Sequence, residues 1–397
     1  MKRTSGEPAS RTSRRTFLGM SAGAAGLLAG TAGLARAEGS GTAPASAPAA
    51  TPAASGDESL LCLPGIPVAV DYDALRTQRM TEVDPEMRAI YDQVAAGPSI
   101  REIGIDAIRK SGQTPANAVV PPGVTARNIE IPGPAGPIPT RIWMPEGVRE
   151  PVGVYLSTHG GGWNFGNGME YHDAEEGQHV LDWGCAVVRP DYRIAPEHKF
   201  PAAIEDCYAA LTYLGRHGRS LGLDPTRIGV GGGCAGGNIG TVISLMARDA
   251  GEVTPAIQFL WSPACDMRNN YRSHLEFGSG YGLRLDDADF VSQNYLPSRE
   301  ASYDWRASPI LAPTLKGAPP ALVWVGEWEI LHDETMAYVD RMRDAGVKVH
   351  LIEGPQQGHG FIYLYPQTAY SRTTRPKIDA IMRSYIGPRR RSREKHA

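Results

Sequence analysis

Net charge is nearly absent from this chain: 40 lysines and arginines stand against 43 aspartates and glutamates, a formal charge of -3. Such a balance sets up no global field towards nucleic acid or anionic membranes. The basic run Arg389 to Arg393 is short and close to the chain end, and reads as a solvated tail over 389–397. The C-x-x-C and histidine spacings of a zinc site are missing, so no metal is expected. A G-x-G-x-x-G turn after an early strand is missing too, together with its distal acidic residue, so no dinucleotide or other cofactor is expected. No internal repeat is visible. The apolar run from Gly19 to about Leu34 falls short of the roughly 20 residues that span a bilayer, so no stable membrane anchor is expected.

Export features stand in order at the N-terminus. Ser13-Arg14-Arg15-Thr16-Phe17-Leu18 has the twin-arginine pattern, the apolar run follows, and Ala35-Arg36-Ala37 offers an A-x-A cleavage site. Residues 1–37 are therefore expected to form a removable signal read by the twin-arginine export machinery, which would place the mature protein in the periplasm or outside the cell. Residues 38–58 are dominated by Ala, Pro, Ser, Thr and Gly and are expected to form a disordered linker. The chain has five cysteines, Cys62, Cys185, Cys207, Cys234 and Cys265. An oxidising compartment permits disulfides, and an odd count leaves at least one thiol free or paired between chains.

The remaining pattern is that of a soluble globular protein, with 42% hydrophobic and 21% charged residues. Tyr72 to Lys110 has helical spacing, with Met80, Val83, Met87, Ile90, Tyr91 and Val94 on one face. It predicts two or three helices, a cap over 59–115. Strands are predicted over Arg127 to Ile131 and Pro139 to Met144 as an edge hairpin. Further strands are predicted at Val152 to Thr158, Cys185 to Arg189, Arg227 to Gly231, Ala256 to Trp261, Ala321 to Val325 and Lys348 to Ile352. Helical stretches fall between most of these, at Tyr171 to Trp183, Ala202 to His217, Asn238 to Asp249 and Glu334 to Ala345. Such alternation implies an α/β domain, here 116–388, with a mostly parallel central sheet and helices on both faces. Its ligands bind at the carboxyl ends of the strands. The long segment from about 266 to 308, rich in Tyr, Arg and Asn, reads as an irregular lid over that edge.

Three constellations then fit one mechanism. Gly232-Gly233-Cys234-Ala235-Gly236-Gly237-Asn238 follows a predicted strand and opens a predicted helix, the setting of a nucleophile elbow. Its central residue is Cys234, a thiol placed at a helix N-terminus, where thiolate is favoured. A glycine-rich turn around an inert buried cysteine has the same composition. His159-Gly160-Gly161-Gly162-Trp163 follows the strand ending at Thr158, and its free backbone N–H groups suit an oxyanion. His359, on a loop after the last predicted strand, and Glu329, just past Ala321 to Val325, supply base and acid in the order nucleophile, acid, base. His359 would take the thiol proton and Glu329 would orient the imidazole, with Glu327 and Asp333 as the alternative carboxylates.

Taken together, these residues resemble the hormone-sensitive-lipase-like branch of the α/β-hydrolase superfamily, the bacterial carboxylesterases with HGGG and GDSAGGN motifs. The resemblance extends from about Arg127 to the C-terminus. It includes Asp191-Tyr192-Arg193-Ile194-Ala195-Pro196-Glu197, Phe200-Pro201-Ala202-Ala203, Arg306-Ala307-Ser308-Pro309, Leu331-His332-Asp333-Glu334 and His359-Gly360-Phe361. It implies an α/β-hydrolase fold with a helical cap or lid, and an oxyanion hole made by Gly161, Gly162 and Ala235. The chain departs from the family pattern in Cys234 for serine, Gly233 for aspartate, Glu329-Ile330 for Asp-Pro, and His332 for arginine. Dienelactone hydrolases are similar in using Cys, His and Asp on the same fold, although their motifs belong to another branch.

A thiolate is both a better nucleophile at neutral pH and a better leaving group than an alkoxide. The expected activity is hydrolysis of carboxylic esters, thioesters or lactones through an acyl-thioenzyme, with a small acyl substrate as partner. Two alternatives stay open: an acyltransferase or cyclising enzyme with the same triad, and a non-hydrolytic, ligand-binding descendant.

Overall fold

The computed structural model describes residues 71–112, 118–149 and 151–389. The expected export signal, the linker, the start and end of the cap segment, Cys62 and the tail after Arg389 lie outside the described residues.

Among the described residues four helices come first: α1 (Tyr72–Glu82), α2 (Pro85–Ala96), α3 (Ile100–Ile103) and α4 (Ile105–Gly112). Their starts are written in the local sequence. Asp84 caps α2 through the Glu86 N–H at 2.8 Å, and Pro85 takes the first turn, where a missing N–H costs nothing. Ser99 and Glu102 cap α3 reciprocally. Met80, Val83, Met87, Ile90, Tyr91 and Val94 are all buried, as their spacing predicts.

The domain that follows alternates strands and helices. In chain order it has β1 (Val124–Gly133), β2 (Gly136–Pro145), β3 (Val152–Ser157), α5 (Asp173–Trp183), β4 (Ala186–Pro190), α6 (Ala202–His217), β5 (Leu223–Gly233) and α7 (Ala235–Ala250). Then come β6 (Ile257–Trp261), α8 (Arg272–Glu276), α9 (Leu285–Tyr295), β7 (Ala321–Gly326), α10 (His332–Asp344), β8 (Val349–Gly354), α11 (Phe361–Leu364) and α12 (Ala369–Ile386). The eight strands form one sheet in the order β1-β2-β4-β3-β5-β6-β7-β8. β1 and β2 are an antiparallel hairpin at the edge, β2 meets β4 antiparallel, and every later pairing is parallel. Every residue of β3 and β7 is buried, the outcome expected of strands covered on both faces.

Two expectations change. The segment expected to be an irregular lid contains α8 and α9; α9 buries Ala288, Val291 and Tyr295, which recur at helical spacing among polar neighbours. The C-terminal helix α12 was not expected. Pro376 sits inside it and argues against helix, yet Ser371, Thr374, Ile378, Met382 and Ile386 form its buried stripe. Packing of that stripe against the sheet outweighs the local cost of the proline.

Candidate active site

The carboxyl end of β5 turns sharply into α7 at Cys234, whose φ of 55° lies in the left-handed region rarely used by residues with a side chain. Hydrogen bonds hold that conformation from both sides. The Cys234 N–H donates to the Trp261 carbonyl at 3.0 Å, and the Asn238 N–H donates to the Cys234 carbonyl at 3.1 Å. The Asn238 side chain in turn donates to the carbonyls of Ala264 and Ala307, at 2.9 and 2.8 Å. Glycine is required at Gly232 and Gly236 because a Cβ at either would overlap the carbonyl oxygen of Thr158. Thr158 fastens the turn further: its hydroxyl lies 2.9 Å from the Gly231 carbonyl and 2.8 Å from that of Gly236. The elbow is thereby locked to the end of β3, from which the glycine loop springs.

In that loop Gly161 and Gly162 have φ of 100° and 55°. The backbone N–H groups of Gly162 and Ala235 both face the Cys234 sulfur closely enough to hydrogen-bond it. Gly161 lines the same cavity. His159, the first residue of the motif, has a structural place: it is buried and stacks on Tyr192 with ring centroids 3.9 Å apart. Burial first, and then the charge of Arg189, hold its pKa well below the usual imidazole value, so the ring is neutral.

His359 sits on the loop after β8 and hydrogen-bonds Cys234 on one side. On the other, its Nδ1–H donates to Glu329 Oε2 at 2.6 Å. Glu329 is buried, and its second oxygen accepts from the Ser262 hydroxyl and the Gly326 N–H, each at 2.7 Å. The two alternative carboxylates are occupied elsewhere. Glu327 accepts from the Gln356 N–H, and Asp333 pairs with His332 and accepts from the Ser273 N–H. The structure therefore brings together Cys234, His359 and Glu329 as the sequence predicts. It adds Ser262 and Thr158, whose only signal in the sequence is that Thr158 ends a predicted strand and Ser262 immediately follows one.

The electrostatics of the pair are coupled. Burial alone would raise the Cys234 thiol, but the positive His359 beside it, their hydrogen bond, and the N–H groups of Ala235 and Gly162 bring its pKa below the ordinary thiol value. Burial alone would likewise discharge His359, yet the Cys234 and Glu329 charges raise it to about 10. The surroundings thus shift Cys234 towards thiolate and His359 towards imidazolium. The other described cysteines behave oppositely: Cys185, Cys207 and Cys265 are buried free thiols whose pKa burial pushes up.

A cavity of about 220 Å³ opens on Cys234 and His359. It is roofed by α9: Val291 packs directly on Gly162, and the Asn164 side chain donates to the Val291 carbonyl at 2.9 Å. Asp287 of α9 accepts from the Ile100 N–H at 2.6 Å, which ties this roof to the N-terminal helices.

Fold and site together define an α/β hydrolase. A family model described as "alpha/beta hydrolase fold" matches residues 155–363, and this chain belongs to that family, in its hormone-sensitive-lipase-like branch. It is 37% identical over 270 residues to the carboxylic ester hydrolase LipN of Mycobacterium tuberculosis, covering 66% of this chain and 71% of that protein. It is also 37% identical over 228 residues to the carboxylesterase NlhH of the same organism, covering 57% of this chain and 71% of that one. Among solved structures, the hyperthermophilic esterase of the archaeon Pyrobaculum calidifontis superposes with a TM-score of 0.70 at 33% identity, covering 76% of this chain and 98% of that one. A thermostable esterase of Pseudomonas putida superposes with a TM-score of 0.72 at 26% identity, covering 77% and 98%.

Proposed function

We propose that this chain is an exported carboxylic ester hydrolase, acting on esters, thioesters or lactones, in which Cys234 is the nucleophile. The observation that carries the reading is the contact order Cys234, His359, Glu329 on a left-handed elbow at the N-terminus of α7. The thiolate attacks the acyl carbon, forming the Sγ–C bond while the carbonyl electrons move to oxygen. Gly162 and Ala235 N–H groups, with Gly161 beside them, receive that oxyanion. On collapse the bond to the leaving oxygen or sulfur breaks and His359 Nε2 gives it a proton. Neutral His359 then takes a proton from water as the hydroxide attacks the thioester. The second collapse releases the carboxylic acid and restores the thiolate–imidazolium pair. Glu329 keeps Nδ1 as the donor and Nε2 as the working atom. The cavity is smaller than the roughly 300–1,000 Å³ of ordinary ligand pockets, which favours a short acyl group.

The roof formed by α9 favours a second outcome of the same chemistry, transfer of the acyl group to an amine or thiol in place of water. Initial rates on activated esters, thioesters and lactones, with and without added amine or thiol, test both readings. Wild type should turn over, and Cys234→Ala should lose several orders of magnitude. Equal rates for the two proteins on every substrate would sink the covalent mechanism and leave ligand binding. Export rests on Ser13 to Leu18 and Ala35 to Ala37: a double Arg14→Lys, Arg15→Lys chain should stay in the cytoplasm, whereas unchanged export would refute a twin-arginine route.

A further inference from the structure

The cavity at Cys234 does not end at the triad. Trp261, at the end of β6, packs against Gly233 on the elbow, and from it a line of rings leads inward. Trp261 and Tyr363 have centroids 5.0 Å apart, Tyr363 meets the edge of His179 at 5.8 Å, and His179 stacks on Trp183 at 4.3 Å. The same cavity is lined by Cys234 and His359 and, two ring contacts on from Trp261, by Ser157, Glu176, His179 and Arg189. That inner cluster is polar and built. Glu176, buried, accepts from Ser157 Oγ at 2.6 Å and from Arg189 at 2.7 Å, and it holds His179 Nδ1 at 3.1 Å.

One atom in this cluster has no partner. His179 is 8% exposed, and its Nε2 is buried without a hydrogen bond in the protein. A buried polar atom left unpaired costs free energy that a ligand can return. The triad mechanism makes no use of it. Its carboxylate partner accepts only, so Nδ1 carries a proton. Burial opposes a charge on the ring, but the Glu176 hydrogen bond and the charges of Glu176 and Glu175 outweigh it and raise the His179 pKa, which favours Nε2 as a donor.

We infer that His179 is a specificity-determining residue: its Nε2 hydrogen-bonds an uncharged oxygen, a carbonyl or hydroxyl, carried by the substrate at the end remote from the scissile bond. A carboxylate is disfavoured because Glu175 and Glu176 share that wall and already balance Arg189 and the imidazolium. An ammonium is disfavoured because Glu176 already accepts from three donors. The inference rests on the proposed ester-binding role of the cavity but not on turnover.

The test is binding, measured by calorimetry on the full mature chain carrying Cys234→Ala. The probes are methyl esters of oxo- and hydroxy-alkanoic acids with the oxygen at the fourth, fifth or sixth carbon, each set against its plain alkyl counterpart. At least one oxygenated probe should bind about tenfold or more tightly than its counterpart, the worth of a hydrogen bond to a charged donor in a buried site. His179→Leu should remove that preference while leaving the alkyl ester's affinity in place, and His179→Gln, which keeps a donor, should retain part of it. Equal binding of all pairs, or a preference that survives His179→Leu, would overturn the inference. A protein that binds the probes as expected while its wild type fails to hydrolyse any ester would refute the hydrolase reading and leave this subsite standing.

Discussion

The indole of Trp261 lies over the α-carbon of Gly233, so that a Cβ added at Gly233 would overlap three atoms of the ring. The related esterase motif has aspartate at this position, and this chain has none. The absence has a steric reason in this chain, since the ring occupies the space that a side chain at 233 would need. Trp261 also reaches the histidine loop, 3.3 Å from where a Cβ on Gly360 would lie, and so spans the gap between nucleophile and base. Gly233→Asp should therefore destabilise the protein by about 1–3 kcal/mol through overpacking. A second substitution, Trp261→Ala, should recover part of that loss. A thermal-denaturation double-mutant cycle checks the coupling, and strict additivity would refute it.

A different test concerns the ion pair. Cys234 titrates below an ordinary thiol and His359 is raised to about 10, so the thiolate–imidazolium pair fills the window between the two values. As pH falls through the Cys234 pKa the sulfur gains a proton and nucleophilicity is lost. As pH rises through about 10 the imidazole loses its proton and the leaving group has no acid. The profile of kcat/KM should accordingly be a broad bell with its acid limb below the roughly 8.5 of a free thiol. The rate of alkylation of Cys234 by iodoacetamide should follow the acid limb alone. An alkylation profile with its midpoint at or above the free-thiol value would show that the pair does not form.

Much of this arrangement is legible in the sequence, and the reason is local. The elbow, the glycine loop and the histidine loop are each defined by consecutive residues beside an apolar strand, so pattern points to Cys234 and His359, and the family resemblance adds Gly161, Gly162 and Ala235. Glu329 was less well defined because Glu327 and Asp333 lie on the same short stretch, and only the fold shows which of them reaches His359. Residues that act across long separations carry no motif, only a place at the end of a strand. Ser262 supports Glu329 from 67 positions away, and Thr158 bridges to Gly231 and Gly236 across 73 and 78. Helix α12 was hidden for the opposite reason, because Pro376 opposes its local signal and burial of its stripe overrides it.

Glu329 and Ser262 should separate in magnitude. Replacing Glu329 with glutamine keeps the shape and removes the charge that steadies His359. It should cost about 10²–10⁴-fold in kcat with little change in KM. Ser262→Ala removes one hydrogen bond to the same carboxylate, and a bond to a charged group is worth about 1.5–3 kcal/mol. It should cost about tenfold, and almost nothing when introduced on top of Glu329→Gln. Full additivity of the two in steady-state kinetics would show that Ser262 does not act through Glu329.

Thr158 joins the two halves of the site, since its hydroxyl contacts the Gly231 and Gly236 carbonyls while its own carbonyl touches the two glycines that flank the elbow. Thr158→Val keeps the volume but removes the single hydroxyl proton these two carbonyls share, while the Thr158 N–H still serves the Gly231 carbonyl at 2.9 Å. The expected loss is about 0.5–1.5 kcal/mol of stability, the net worth of one hydrogen bond. Thr158→Ser retains the hydroxyl and should stay near wild type in stability. The catalytic consequence has a distinct signature. With the elbow free to shift against the glycine loop, Gly162 and Ala235 no longer hold a fixed spacing, and the loss should fall on kcat more than on KM. A Thr158→Val enzyme that is less stable yet keeps kcat would show that the hydroxyl serves folding alone, and that the oxyanion donors are positioned by the backbone without it.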